Sequence, residues 1–192
     1  ALIIKGERPR ALYGIPDDLF ELLDGRKKMI TKMPIRLLSL QSMGLNAKRT
    51  LWDIGFCTGS ISIEARRMYP HLHVEAFEQR RKCEDIIKVN SRRHGTPGIG
   101  IHIGDFLLSD CAKIVSASGN PDAVFIGGHG GKLKEIMSKV LDYISPGGCI
   151  VMNSVTSSSK RMFEESCSLL GMKMYAPIRI ALDDYNPIEI LK

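Results

Sequence analysis

At 192 residues and 21.3 kDa, with 44% of residues hydrophobic, the chain has material for one well-buried α/β core and too little for a second full domain. No apolar run approaches the roughly 20 residues of a membrane-spanning helix, and the N-terminus lacks the charged-then-apolar pattern of a signal peptide, so a cytoplasmic protein with no membrane partner is expected. The balance of 27 Lys+Arg against 21 Asp+Glu, net +6, favours anionic partners, a class that includes both nucleic acid and a small polycarboxylate.

Residues 1–33 read as an irregular lead-in, punctuated by Pro9, Gly14, Pro16 and Gly25 and carrying the basic run Arg26-Lys27-Lys28. From residue 34 to 45, Ile35, Leu37, Leu38, Leu40 and Met43 predict a helix, with Thr31 in its N-cap region and Pro34 tolerated in its first turn. The domain that starts at residue 34 is expected to run to 192.

The stretch Leu51 to Ser60, L-W-D-I-G-F-C-T-G-S, organises the rest. Leu51, Trp52 and Ile54 predict an apolar strand, Gly55 to Gly59 a tight turn, and a helix begins near Ser60. That geometry leaves a crevice at the strand's carboxyl end where backbone N–H groups approach a ligand. A dinucleotide fingerprint would be G-x-G-x-x-G; here Asp53 stands two before Gly55, and Cys57 and Gly59 follow at alternate positions. The pattern resembles the first motif of the S-adenosylmethionine (AdoMet) methyltransferases, [D/E]-x-G-x-G-x-G, with cysteine at its central glycine.

Ile61, Ala65 and Met68 give the next helix an apolar face, and Val74 to Phe77 predict a strand ended by Glu78. Glu78 follows Asp53 by 25 residues, near the interval at which a strand-end acid accepts from both hydroxyls of a ribose. A basic helix runs to about Arg93, and Ile99 to Ile103 alternate as a strand that ends at Gly104-Asp105-Phe106, a corner suited to an adenine amine and ring. Ala123 to Ile126 read as a buried parallel strand breaking into Gly127-Gly128-His129-Gly130-Gly131. Four glycines in five residues cost backbone entropy, so they mark close approach of a ligand or positive φ, with His129 as a candidate base among them.

Leu133, Ile136, Met137, Val140, Leu141 and Ile144 predict a helix stopped by Ser145-Pro146-Gly147-Gly148. Cys149 to Met152 predict a strand, followed by a polar loop from Asn153 to Ser159, a helix through Met162, Phe163, Cys167 and Leu170, and two strands near 174–181 and 188–191. The fold class is therefore α/β: a Rossmann-like sheet of about seven mostly parallel strands with a terminal antiparallel pair. The five cysteines form no C-x-x-C pair and no zinc-spaced cluster, which predicts reduced thiols and no metal site.

Taken together, G-I-P-D-D-L-F (14–20), M-I-T-K-M-P-I-R (29–36), D-I-G-F-C-T-G-S (53–60), N-S-R-R-H-G (90–95), D-A-V-F-I-G-G-H-G-G (122–131) and P-G-G (146–148) resemble the decarboxylating precorrin-6Y C5,15-methyltransferases. The resemblance is to the C15-methylating part, which is a separate protein in some pathways and the C-terminal half of a fused one in others. It implies AdoMet-dependent methylation of a tetrapyrrole at carbon 15, with loss of carbon dioxide from the ring-C acetate, on the way to cobalamin. It implies Gly55, Thr58 and Gly59 as the cofactor turn, with Asp53 and Cys57 in the same motif, Glu78 on the ribose, Asp105 near the adenine and Thr31 over the cofactor. Gly127, which would also touch the cofactor, Gly128, His129 and Asn153 would border the tetrapyrrole, with Lys132, Lys160, Arg161 or Arg179 meeting its carboxylates. It also implies a homo-oligomer, a tetramer, and a C5-methylating domain in the same full-length protein, which would make the start at Ala1 an internal one.

Two positions depart from the family pattern: Cys57 replaces a glycine, and Pro34 replaces what is usually a glutamate. Two other functions fit the same fold, an RNA methyltransferase and an AdoMet-binding module without catalysis. Against the first, base methyltransferases commonly carry [N/D]-P-P-[Y/F] after the fourth strand, where this chain has I-G-G-H-G-G, so no nucleic-acid partner is expected.

Overall fold

The computed structural model describes residues 13–26, 28–182 and 185–192. Residues 1–12 of the expected lead-in and Lys27 of its basic run lie outside the described residues.

Strand β1 (Thr50–Ile54) is buried at all five positions, as a strand covered on both faces must be. It pairs in parallel with β2 (His73–Glu78) on one side and β4 (Ala123–Ile126) on the other. β3 (Ile99–Ile103) extends the sheet beyond β2 and β5 (Cys149–Ser154) beyond β4, both in parallel. The antiparallel pair β6 (Ile178–Leu182) and β7 (Tyr185–Leu191) completes the order β3-β2-β1-β4-β5-β7-β6, with β7 against β5. The expected sheet is borne out. Its order reverses between β1 and β4, the point where ligands bind in open α/β sheets.

Register sorts the side chains into two layers. Leu51, Ala123, Phe125 and Val151 pack beneath α1 (Met33–Met43) and α2 (Ser60–Met68). Trp52, Ile54, Val124, Ile126, Ile150 and Met152 pack on the other face with Leu133, Ile136, Met137 and Val140 of α5 (Leu133–Leu141) and Phe163 and Cys167 of α6 (Ser157–Leu169). The other α-helices among the described residues are α3 (Lys82–His94) and α4 (Cys111–Ser118).

Several boundaries differ from the sequence reading, each for a local reason. Lys32, not Thr31, is the N-cap of α1, and no side chain caps it; Pro34 sits in the first turn, where its missing N–H costs nothing. α4 was not anticipated: Asp110 accepts from the Lys113 N–H at 3.1 Å to start it, and Gly119 follows its end. α5 stops at Leu141 and leaves Ile144 in the turn that follows. The polar loop after β5 is shorter than expected because Thr156 Oγ1 accepts from the Ser159 N–H at 3.1 Å and starts α6 at Ser157. β6 begins at Ile178, four residues later than the apolar run at Met174 suggested.

The described part of the lead-in is packed on the domain. Ile15, Phe20 and Ile30 are buried with Ile63 of α2, and Leu23 is buried with Phe56 and Cys83. The Gly14 and Ile15 N–H groups donate to the Glu64 carboxylate at 2.7 and 3.0 Å, and the Asn90 side chain exchanges hydrogen bonds with the Glu21 backbone at 2.6 and 3.0 Å.

Candidate active site

The turn after β1 is built from backbone conformations that L side chains rarely adopt. Gly55 has φ +80 and Gly59 φ +75. A Cβ on Gly55 would lie 2.7 Å from the Gly128 nitrogen, so the β1 turn and the glycine loop after β4 meet backbone to backbone. Cys57, at φ +48, is the one non-glycine residue in this region among the described residues. Its N–H donates to Glu78 Oε2 at 3.1 Å, which ties the turn to the end of β2. Burial pushes the Cys57 thiol up to about 12, so it stands as a neutral thiol beside that of Cys83.

Asp53 is 1% exposed. Its Oδ2 accepts from the Ser62 N–H at 3.2 Å and hydroxyl at 2.6 Å, while Oδ1 has no partner. Burial pushes the carboxyl up to about 7, against the opposing pull of the two Ser62 bonds. Thr58 Oγ1 is likewise buried without a partner. Unpaired buried polar atoms are costly, and here an acceptor and a hydroxyl both lie in the wall of one cavity.

That cavity, about 450 Å³, brings together Thr31, Asp53, Gly55, Cys57, Thr58, Gly127, Gly128 and Asn153. Residues 28–32 form one wall, and Phe125, Asn153 and Val155, from the ends of β4 and β5, form another. Asn153 is held from behind by Ser39, whose Oγ lies 3.0 Å from its Oδ1.

A second pocket of about 150 Å³ opens on the β2–β3 side, lined by Glu78, Gly104, Asp105, Phe106, His129 and Lys132. Glu78 is 3% exposed and accepts from the Arg80 N–H at 3.0 Å as well as from Cys57, yet a carboxylate keeps lone pairs for a diol. Asp105 accepts from the Leu107 N–H at 2.9 Å and from Lys132 Nζ at 3.0 Å, and these bonds hold its carboxyl below the usual range. Phe106 packs edge-on against Phe77 and Trp52, with centroids 5.0 and 5.9 Å apart, which fixes its ring at the pocket floor. Gly55, Arg80 and Gly128 line both compartments, so the two join there.

The structure separates some residues that the sequence reading grouped. His129 lies in the smaller pocket with Glu78 and Asp105, away from Asn153; its Nδ1 accepts from the Gly131 N–H at 3.2 Å, and burial lowers its pKa. Gly59 lines neither compartment and serves as the N-cap of α2, where a Cβ would collide with Ile87. Of the four basic residues expected near a tetrapyrrole, none lines the larger cavity: Lys132 lines the smaller pocket, and Arg161 pairs with Glu165 at 3.6 Å. The cations that do line the larger cavity are Lys28, Lys32 and Arg80. Lys28 belongs to the basic run of the lead-in and Arg80 to the basic residues that follow Glu78, and neither was singled out as a site residue; adjacency to the I-T-K segment and to Glu78 was the available signal.

Residues 21–190 match the family described as precorrin methyltransferase domain. The cobalt-precorrin-6B C(15)-methyltransferase (decarboxylating) of Salmonella typhimurium is 28% identical over 172 residues, covering 90% of this chain and 85% of that protein. The precorrin-6Y C(5,15)-methyltransferase [decarboxylating] of Sinorhizobium sp. is 31% identical over 175 residues, covering 91% of this chain and 39% of that longer protein. The crystal structure of precorrin-6y C5,15-methyltransferase from Geobacter metallireducens superposes with a TM-score of 0.82 at 28% identity, covering 94% of this chain and 96% of that one. A family match over residues 21–190, with a superposition that covers 94% of the chain, shows that this protein belongs to the precorrin methyltransferase family.

Proposed function

We propose that the protein methylates a precorrin at carbon 15 with AdoMet and removes carbon dioxide from the ring-C acetate, a step of cobalamin biosynthesis. The observation that carries this reading is the pair of compartments joined at Gly55 and Gly128. Along the carboxyl edge of the sheet stand Asp105 after β3, Glu78 at the end of β2, the turn after β1, the glycine loop after β4, and Asn153 in β5. That order suits adenine, ribose, methionine, methyl group and substrate in turn.

The residues present fit AdoMet. Asp53 Oδ1 and Thr58 Oγ1, buried and unpartnered, offer an acceptor and a hydroxyl to the polar end of its methionine, and Glu78 offers lone pairs to its ribose. When bound, AdoMet supplies a methyl group already activated on a sulfonium. The protein's task is then to hold an electron-rich ring carbon in line with that methyl and to keep water away, which is catalysis by proximity. A Cβ on Gly128 would meet nothing within 4 Å, so the glycine loop leaves open space for a broad ring. Lys28, Lys32 and Arg80 line the side of the cavity that would meet the carboxylates of the tetrapyrrole, Lys32 and Arg80 while also paired with Asp17 at 3.6 Å and Glu78 at 3.5 Å.

The Sinorhizobium relative is named for methylation at two carbons and is covered only to 39% by this chain; methylation at carbon 5 we assign to a separate domain or protein. Free thiols at all five cysteines suit a reducing compartment such as the cytoplasm. The tetramer implied by the resemblance is tested by light scattering, where a single-chain mass at micromolar concentration would refute it.

The deciding experiment supplies AdoMet with precorrin-6B, metal-free and cobalt-containing, and follows the pigment by mass spectrometry. Gain of one methyl and loss of one carbon dioxide supports the reading; methylation of bulk RNA with the pigment untouched overturns it.

A further inference from the structure

Arg36, in the first turns of α1, is the most heavily committed side chain outside the cofactor turn. It is fully buried, and its guanidinium uses the fork of donors in four directions. Nε donates to Glu64 Oε2 at 3.1 Å; Nη1 donates to Asp17 Oδ1 at 3.2 Å and to the Thr31 carbonyl at 2.8 Å; Nη2 donates to the Ile15 carbonyl. The Phe20 ring lies 5.0 Å from Cζ. One side chain therefore grips both ends of the segment from Ile15 to Thr31. Glu64 completes the grip by taking the Gly14 and Ile15 N–H groups.

Two features make this more than a structural tie. The gripped segment ends in residues 28–32, the wall of the larger cavity that carries Lys28 and Lys32. Glu64 stands on α2, which starts directly after the cofactor turn at Gly59, so wall and turn are referenced to the same helix. A buried ion pair is also a poor means of gaining stability, because desolvation consumes much of its Coulomb energy; what it supplies is a defined geometry.

We infer that Arg36 is a positioning residue, which sets the distance between the 28–32 wall and the cofactor turn by holding the Thr31 carbonyl against Glu64 of α2. The consequence for precorrin turnover rests on the function proposed above; the positioning itself does not. A lysine at this place keeps the charge beside Glu64 but has one nitrogen, which cannot reach Thr31, Ile15 and Asp17 together.

The test compares Arg36→Lys with wild type. Removing the cation outright would strand Glu64 as a buried unpaired carboxylate, so the second variant is the double change Arg36→Met with Glu64→Gln. Hydrogen exchange is read at residues 28–32 and, as an internal reference, in β1 and β4; kcat and KM are read with precorrin, and thermal unfolding is read alongside. In both variants exchange at 28–32 is expected to rise about tenfold while β1 and β4 stay protected. The precorrin kcat/KM is expected to fall about tenfold, mostly through KM, because the wall makes contacts shared by bound substrate and transition state. A lowered melting temperature with unchanged exchange at 28–32 and unchanged kcat/KM would make Arg36 merely structural and overturn the inference. So would an equal rise of exchange across the sheet. If wild type fails to convert precorrin, the proposed function fails by itself, and exchange at 28–32 still decides the positioning.

Discussion

Gly55→Ala examines the contact that joins the two compartments. At φ +80 an alanine carries the left-handed penalty of about 1–2 kcal/mol. Its Cβ would stand 2.7, 2.9 and 3.0 Å from the nitrogen, oxygen and Cα of Gly128, and these are backbone atoms that no rotamer can move. Overpacking of that kind costs about 1–3 kcal/mol, which brings the total to roughly 2–5 kcal/mol. For a chain of this size each kcal/mol lowers the melting temperature by about 2–4 °C, so a fall of roughly 4–20 °C is expected. The glycine loop must also move away from the turn, and AdoMet affinity should drop at least about tenfold, or 1.4 kcal/mol. Gly128→Ala is the control from the other side of the same contact: its Cβ meets nothing within 4 Å and its φ is not left-handed, so stability should stay within about 1 kcal/mol of wild type. Chemical denaturation and calorimetric titration measure both quantities. A Gly55→Ala protein with wild-type stability and affinity would refute the backbone contact as the reason for glycine.

Glu78→Ala should weaken AdoMet by about 1–3 kcal/mol, the cost of leaving hydrogen-bonding groups unpaired, and unchanged affinity in calorimetry would move the ribose role elsewhere. Cys57→Gly relieves about 1–2 kcal/mol of left-handed strain. It gives back roughly 1 kcal/mol of buried thiol surface and up to about 1 kcal/mol of chain entropy, so stability should change by less than about 1 kcal/mol. Its cofactor affinity should be equal or tighter; a large loss would show that the thiol itself contacts the ligand. Asp53 gives a pH signature with a definite sign. Its carboxyl rises from 3.8 in the unfolded chain to about 7, so the native state holds the extra proton and the contribution of Asp53 to stability is lost as pH rises from about 4 to 7. Wild type minus Asp53→Asn, followed by unfolding at each pH, should slope downward over that window by up to about 1.4 kcal/mol per unit. A flat difference would mean that Asp53 is ionised in the unliganded protein.

The strand–turn–helix at residues 50–68 was legible because each local signal agreed: a fully buried strand, glycines where φ is positive, and an acid at the strand end. The seven strands and the terminal antiparallel pair followed from the alternation of short apolar runs with helical periodicity; their lateral order in the sheet did not. α4 escaped because it is only eight residues long and rich in serine, with Ile114 and Val115 as its large apolar residues; its signals were the Asp110 cap and Gly119. His129 was placed correctly in the glycine loop, but sequence gives no access to which side of the loop a ring faces, and it faces the Glu78 pocket. The Arg36–Glu64 pair spans 28 residues, and the Asp17, Ile15 and Thr31 contacts come from an irregular segment without periodicity. Nothing in local pattern places such a segment on the domain, and for the same reason Lys28 and Lys32 were not recognised as cavity residues.

The central claim is the order of a cofactor along the carboxyl edge of the sheet, and a crystal structure with S-adenosylhomocysteine tests it most directly. The account predicts adenine beside Asp105 and Phe106, both ribose hydroxyls on Glu78, and the amino acid end reaching Asp53 Oδ1 and Thr58 Oγ1 under residues 28–32. The sulfur should lie where Gly55 faces Gly128, with the Asn153 side of the larger cavity left open. Adenine seated in the larger cavity, or a ribose that does not touch Glu78, would contradict it.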